Sequence, residues 1–203
     1  MERRQTGQEA SWAGGGIVSP LYPWRYSDPV SELANWSQGF YPQLAEILDQ
    51  ATGIDPEVSP CGLLWLDHAE QADALRWAGA QRKPLSAVDF IYQQVPQLAA
   101  GFQQALWQPQ VANVRNPRLM AALRARLQQY DAFTLLEKTP VTQLWLEQGK
   151  ISGVIAGAQR HAADAVVLAA GAWSGEWLAQ VGLALPVQPV KGQMILYKTA
   201  PGW

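Results

Sequence analysis

The sequence has one cysteine, Cys61, and two histidines, His68 and His161. A lone cysteine excludes an intrachain disulfide and fits a reducing compartment. Beside Pro60 and Gly62, in an apolar stretch, it reads as a buried structural thiol. The histidines stand far apart, and no second thiol joins them. No zinc-like ligand spacing exists, and no metal is expected. Cationic residues are scarce too. Fifteen Lys and Arg against seventeen Asp and Glu leave a formal charge of −2. There is no basic surplus to hold a phosphate backbone, so no nucleic-acid partner is expected. The longest apolar run, Ala165 to Trp173, falls far short of the about 20 residues a membrane-spanning helix needs, so no membrane is expected. Met1 to Gln5 carries no apolar core of a signal peptide. No Gly-x-Ser-x-Gly nucleophile elbow, no Gly-x-Gly-x-x-Gly fingerprint and no fixed-period repeat occurs. The carboxylates are scattered without a matched acid/base pair, so no catalytic residue is assigned.

What remains is a globular composition: 203 residues, 48% hydrophobic and 16% charged. That length suits one or two domains, and the expectation is a soluble, cytoplasmic protein. The first stretch, to Ser27, is loop-like, with Pro20 and Pro23 among Tyr22, Trp24 and Tyr26. Asp28-Pro29 starts a helix, capped by the aspartate and led by proline. Pro42 is expected to kink or split it, and Gly53 to end it. Gly62 to Leu66 reads as a strand, and Asp67 to Ala80 as a helix capped by Asp67. Asn116-Pro117 starts another helix, with Leu119, Ala122, Leu123 and Leu127 on its apolar face. Phe133 to Leu136 reads as a strand. Val141 to Leu146 and Ile151 to Ile155 alternate around Gln148-Gly149-Lys150, the pattern of a hairpin. Ala165 to Ala169 is continuously apolar, as in a strand buried on both faces of a parallel sheet. Ser174 caps a helix to about Val181, and Gln193 to Tyr197 reads as a final strand. The elements amount to an α/β, overall α+β, fold.

Two glycine clusters stand out. Gly14-Gly15-Gly16 permits positive φ or close approach of the backbone to a ligand, and equally suits a surface loop. Gly171 follows the apolar run at what would be the carboxyl end of a parallel strand, where open α/β sheets bind ligands. Tight strand-to-helix packing is an equal alternative there. The ten tryptophans read chiefly as core or interface residues.

Five stretches in order carry a resemblance. They are Glu2-Arg3 with Glu9 to Pro20, Val111 to Arg118, Thr139 to Val141, Val166 to Gly175, and Pro189 to Met194. Together they resemble the D-amino-acid oxidase superfamily of FAD-dependent enzymes, nearest to its glycine-oxidising branch in thiamine biosynthesis. The resemblance implies a partial FAD-binding Rossmann-like domain, in residues 1–43 and 111–185. It implies an incomplete antiparallel-sheet substrate domain, in 44–110 and 186–203. FAD is the implied cofactor. Glu2 and Arg3 would lie near the adenosine ribose, and Ala10 and Ser11 near the phosphate and ribitol. Gly15, Gly16 and Ile17 would line the isoalloxazine. Val141 would touch the adenine side, and Ala170 and Gly171 would pass close to the cofactor. The implied reaction is oxidative deamination of glycine or another small amino acid, with a homo-oligomer allowed in an intact enzyme. A D-amino-acid dehydrogenase or sarcosine-type oxidase is the alternative within the fold. The family also places a dinucleotide motif before Glu2 and further chain after Trp203. The sequence therefore resembles a middle fragment, and an inactive truncated chain is the rival from another class.

Overall fold

A computed structural model describes residues 1–67 and 69–199; His68 and the residues from Ala200 on lie outside it. The chain divides into two compact units. One comprises Met1–Glu9 and Ala132–Ile195, the other Ala10–Asp131 with the residues from Leu196 on.

In the second unit, helix α1 (Ala10–Ala13) and a 3-10 turn (Pro23–Arg25) precede the long helix α2 (Asp28–Thr52). Pro29 sits in the first turn of α2, where no intrahelical N–H is needed. Pro42 removes one ladder bond, and of the two expected outcomes the split does not occur, since the helix is continuous from Asp28 to Thr52. Tyr41, Leu44 and Leu48 around it pack on one core with Val18, Val114, Leu119 and Ala122, and that packing holds the helix through the proline. Gly53, at φ 70°, closes α2 in the left-handed conformation by donating its N–H to the Asp49 carbonyl. Strand β1 (Ser59–Pro60), strand β2 (Leu63–Leu66) and helix α3 (Gln71–Gln81) follow.

Helix α3 starts later than the Asp67 cap predicts. Asp67 instead extends the pairing of β2. Its N–H donates to the Gln104 carbonyl at 3.0 Å, and its carboxylate accepts the Gln104 N–H at 3.2 Å. A carboxylate spent on the sheet end cannot cap the helix. Strand β3 (Ser86–Val88), the short helix α4 (Ile91–Gln94) and strand β4 (Ala105–Gln108) complete an antiparallel sheet of order β2-β4-β3. Its core joins Trp65 and Leu106 to Ala74 and Ala78 of α3. Strand β5 (Ala112–Asn113) pairs with β1, and helix α5 (Asn116–Leu127) lies against α2. Cys61 is exposed, not buried. Its N–H and that of Gly62 both donate to the Val111 carbonyl, which holds the backbone in and leaves the thiol outside.

The first unit is built on a meander of strands β6 (Val141–Glu147), β7 (Lys150–Ala156) and β8 (Gln159–Ala162). Gln148 and Gly149, both at positive φ, form the two-residue turn between β6 and β7. A 3-10 turn (Gly171–Trp173) leads into helix α6 (Ser174–Ala179).

Three expected strands are not formed. Phe133 to Leu136 has no strand structure, although Leu136 accepts the Glu2 N–H at 2.8 Å. Ala165 to Ala169 is unpaired, and Val167 is 90% exposed. Gln193 to Tyr197 is likewise unpaired, with Leu196 95% exposed. A strand exists only as part of a ladder; the single Glu2 bond to Leu136 does not make one, and no described residue pairs with the other two segments. Among the described residues the three sheets are antiparallel. The fold is mixed helix and strand, and among the described residues there is no parallel sheet of the kind that the apolar run suggests.

Candidate functional site

The sequence-selected positions fall into the two units. Ala10, Ser11, Gly15, Gly16 and Ile17 belong to the second. Ala10 and Ser11 lie on α1, which is exposed and rests against α5. The glycine segment then runs beside β5 and the start of α5. Gly15 accepts a bond from Asn113 Nδ2 at 3.1 Å, Gly16 accepts the Val114 N–H at 2.8 Å, and Val18 donates to Ala112 at 2.9 Å. Gly16 has φ 73°, and a Cβ there would stand 2.0 Å from the Val114 carbonyl oxygen. The close approach that glycine permits is therefore, in this structure, to Val114. Ile17 remains 43% exposed and bridges to Asn113.

Glu2, Arg3, Val141, Ala170 and Gly171 belong to the first unit. Glu2 accepts the Thr139 N–H at 2.9 Å, which sets it close to the start of β6 at Val141. One Glu2 carboxylate oxygen accepts the Arg4 N–H at 3.0 Å. Arg3 Nη2 donates to both Glu9 carboxylate oxygens, at 2.9 and 3.1 Å, and the guanidinium lies 4.5 Å from the Trp173 ring centroid. This cation–π contact carries Arg3 to the segment that holds Ala170 and Gly171. Gly171 has φ 55° and open space where a Cβ would point. The structure thus gathers Glu2, Arg3, Val141 and the Ala170–Gly171 turn within one unit.

A cavity of about 350 Å³ adjoins this group, lined by Arg3, Arg4, Gln5, Gln8, Glu9 and Lys138. Of these, sequence reasoning named only Arg3 as a site residue and missed Arg4, Gln5, Gln8, Glu9 and Lys138. The Arg3-Arg4 doublet was a visible signal, but Lys138 has none, because its N–H reaches the Arg4 carbonyl across the fold. Three cations against one carboxylate suit an anionic ligand, and the chemistry of the cradle fits a dinucleotide with a pyrophosphate. Among the described residues, no cluster of His, Cys, Asp and Glu can hold a metal ion, and no helix is long and apolar enough to cross a membrane.

Residues 1–202 match the family described as FAD dependent oxidoreductase. The glycine oxidase of Pseudomonas putida is 54% identical over 201 residues, covering 98% of this chain and 55% of the relative. That of Pseudomonas aeruginosa is 56% identical over 203 residues, covering 98% of the chain and 56% of the relative. The crystal structure of glycine oxidase from Geobacillus kaustophilus superposes with a TM-score of 0.77 at 31% identity, covering 91% of this chain and 51% of that one. The chain spans about half the length of these relatives. It belongs to the FAD-dependent oxidoreductase family.

Proposed function

We propose that the chain, as a member of this family, belongs to an enzyme that oxidises glycine or another small amino acid with FAD. The supporting observation is the 54% and 56% identity to two glycine oxidases across nearly the whole chain. Bound FAD would supply the two-electron oxidation of the substrate amine to an imine, with oxygen as the final acceptor; hydrogen peroxide would form, and water would hydrolyse the imine to ammonia and the 2-oxo acid.

The chain's own residues bind and orient. Glu2 accepts the ribose hydroxyls, a role open to a carboxylate that has spent only one bond on Arg4. Arg3, Arg4 and Lys138 offset phosphate charge. Ala10 and Ser11 would serve the phosphate and ribitol, and Gly15, Gly16 and Ile17 the isoalloxazine. Val141 meets the adenine through backbone groups, and the open side of Gly171 lets the chain pass close to the cofactor beside Ala170. In domain terms, 1–43 and 111–185 serve FAD, and 44–110 with 186–203 serve the substrate. The enzyme works in the cytoplasm on a small amino acid rather than on nucleic acid, and is able to assemble as a homo-oligomer.

Peroxide assays of the enzyme that contains this chain, with glycine, sarcosine, D-alanine and D-proline, test the reading. Glycine is expected to reach kcat/KM within about tenfold of the best substrate, since one methyl is worth about 1–3 kcal/mol. Reduction of an artificial dye without peroxide overturns the oxidase. It leaves a dehydrogenase, the reading that a 57-residue match of 42% identity to a D-amino acid dehydrogenase also supports. The 203-residue chain by itself is expected to retain little FAD, because its sequence holds no Gly-x-Gly-x-x-Gly turn to bind pyrophosphate. A flavin spectrum near one cofactor per chain after desalting overturns that.

A further inference from the structure

Glu70 stands at the position just before α3, and its carboxylate gathers three N–H donors from one loop. Arg25 Nη2 donates to Oε1 at 2.6 Å and Arg25 Nε to Oε2 at 2.8 Å, a two-bond fork. Trp24 Nε1 donates to the same Oε2 at 2.6 Å. The loop is held on its other faces as well. The Trp24 ring meets Tyr22 and Trp65 edge-on, with centroids 5.8 and 5.4 Å away. Arg25 lies 4.2 Å from the Tyr22 centroid, and Trp65 Nε1 donates to the Leu21 carbonyl at 2.7 Å. The Glu70 bond raises the Arg25 guanidinium above its ordinary value.

A single exposed ion pair is worth little. This one differs in geometry. A planar fork and an indole N–H converge on one carboxylate, and such charge-assisted bonds fix direction as well as distance. The segment it holds has no long element of its own. Between Ile17 and Asp28 there is only the 3-10 turn Pro23–Arg25. At its other end the same segment is tied through Gly15, Gly16 and Val18 to Ala112, Asn113 and Val114.

We propose that Glu70 is a positioning residue: it locks the far end of the segment that begins at Gly15, and so gives Ile17 to Tyr26 a single backbone course. The service this does for the flavin rests on the function proposed above; the lock itself does not. Without Glu70 the far end of this proline-containing loop loses its charge-assisted bonds and rests on the ring contacts and the Trp65–Leu21 bond, and a segment so held opens at lower free-energy cost.

The test uses the full 203-residue chain, labelled with ¹⁵N, with the Trp24 indole resonance identified through Trp24→Phe. The lock predicts a Trp24 indole N–H shifted downfield by the carboxylate. Glu70→Gln keeps the shape but loses the charge, and should move that resonance upfield. Trypsin cleavage after Arg25 should rise about tenfold, because cleavage follows the open population. Glu70→Asp, which keeps the charge, should restore part of both. An unmoved resonance with cleavage changed less than about twofold overturns the lock. Should Glu70→Gln fail to fold, Arg25→Gln breaks the fork alone. Amide exchange at residues 25 and 26, whose N–H groups donate to Tyr22 and Pro23, then accelerates if the lock is real, and unchanged protection overturns it. Titration of the enzyme that contains this chain with FAD separates the two readings. A lock that responds as expected in an enzyme that binds no FAD sinks only the functional proposal, and an absent lock with FAD binding intact sinks only the lock.

Discussion

The hairpin β6–β7 and the run Ala165–Ala169 have strand-like sequences of comparable strength, yet only the hairpin forms strands. The difference lies in where the partner comes from. In the meander each strand meets the next across a short turn, through Gln148-Gly149 and then past Gly157, so the ladder costs little loop-closure entropy. The apolar run codes for burial on both faces, and both neighbours must come from elsewhere. Without them Val167 stands in solvent. An apolar pattern specifies what a segment can do once it is paired; a hairpin also specifies the pair.

Substitutions break or sharpen that contrast. The largest effect is expected at Gly153 in β7. Its φ is 149°, and a Cβ would lie 2.0 Å from the His161 carbonyl oxygen of β8. Gly153→Val should cost roughly 3 kcal/mol or more and uncouple β8 from β7, seen as a lower urea midpoint and lost amide protection in β8. Gly16→Val comes next. It combines positive φ with the Val114 backbone in the way, so about 2–3 kcal/mol of stability should go, with loss of exchange protection at the Val114 N–H. Gly171→Ala isolates the backbone term. The φ is again positive, but nothing stands near the new methyl, and about 1 kcal/mol is expected from the same denaturation curves. Val167→Thr should be smallest. In this chain the change should stay within about 0.5 kcal/mol. In an enzyme whose flanking strands cover position 167, burying the hydroxyl should cost about 1–3 kcal/mol. Equal costs in both settings would show that pairing is not what the apolar run lacks.

The sequence was legible where the decisive contacts are local. Asn116-Pro117 and Gly53 mark helix ends, and the Gln148-Gly149 turn marks a hairpin, because each acts within a few residues. It was less legible where a side chain had two uses. Asp67 looks like a helix cap, and its carboxylate goes to Gln104 instead. The third strand, β8, was missed because Gln159 to Ala162 is mostly polar and becomes a strand by pairing with β7. At the candidate site, the Gly14–Gly16 cluster was visible as glycines, but not the Val114 backbone that explains Gly16. The Arg3–Trp173 contact and the approach of Lys138 to Arg4 join residues far apart in the chain, which no spacing rule reaches.

The amino-terminal segment has one further consequence, and it concerns time. The Thr6 N–H is bonded to Glu137, 131 residues away, and Glu2 is bonded to both Leu136 and Thr139. During synthesis at about 5–20 residues per second, that separation takes roughly 7 to 26 s to cross. Helix α2 and the β2–β4 sheet have all their residues long before then. Residues 1–6 therefore wait that whole interval for the partners that fix them, and a chaperone that binds this stretch of the nascent chain would have the same time in which to act.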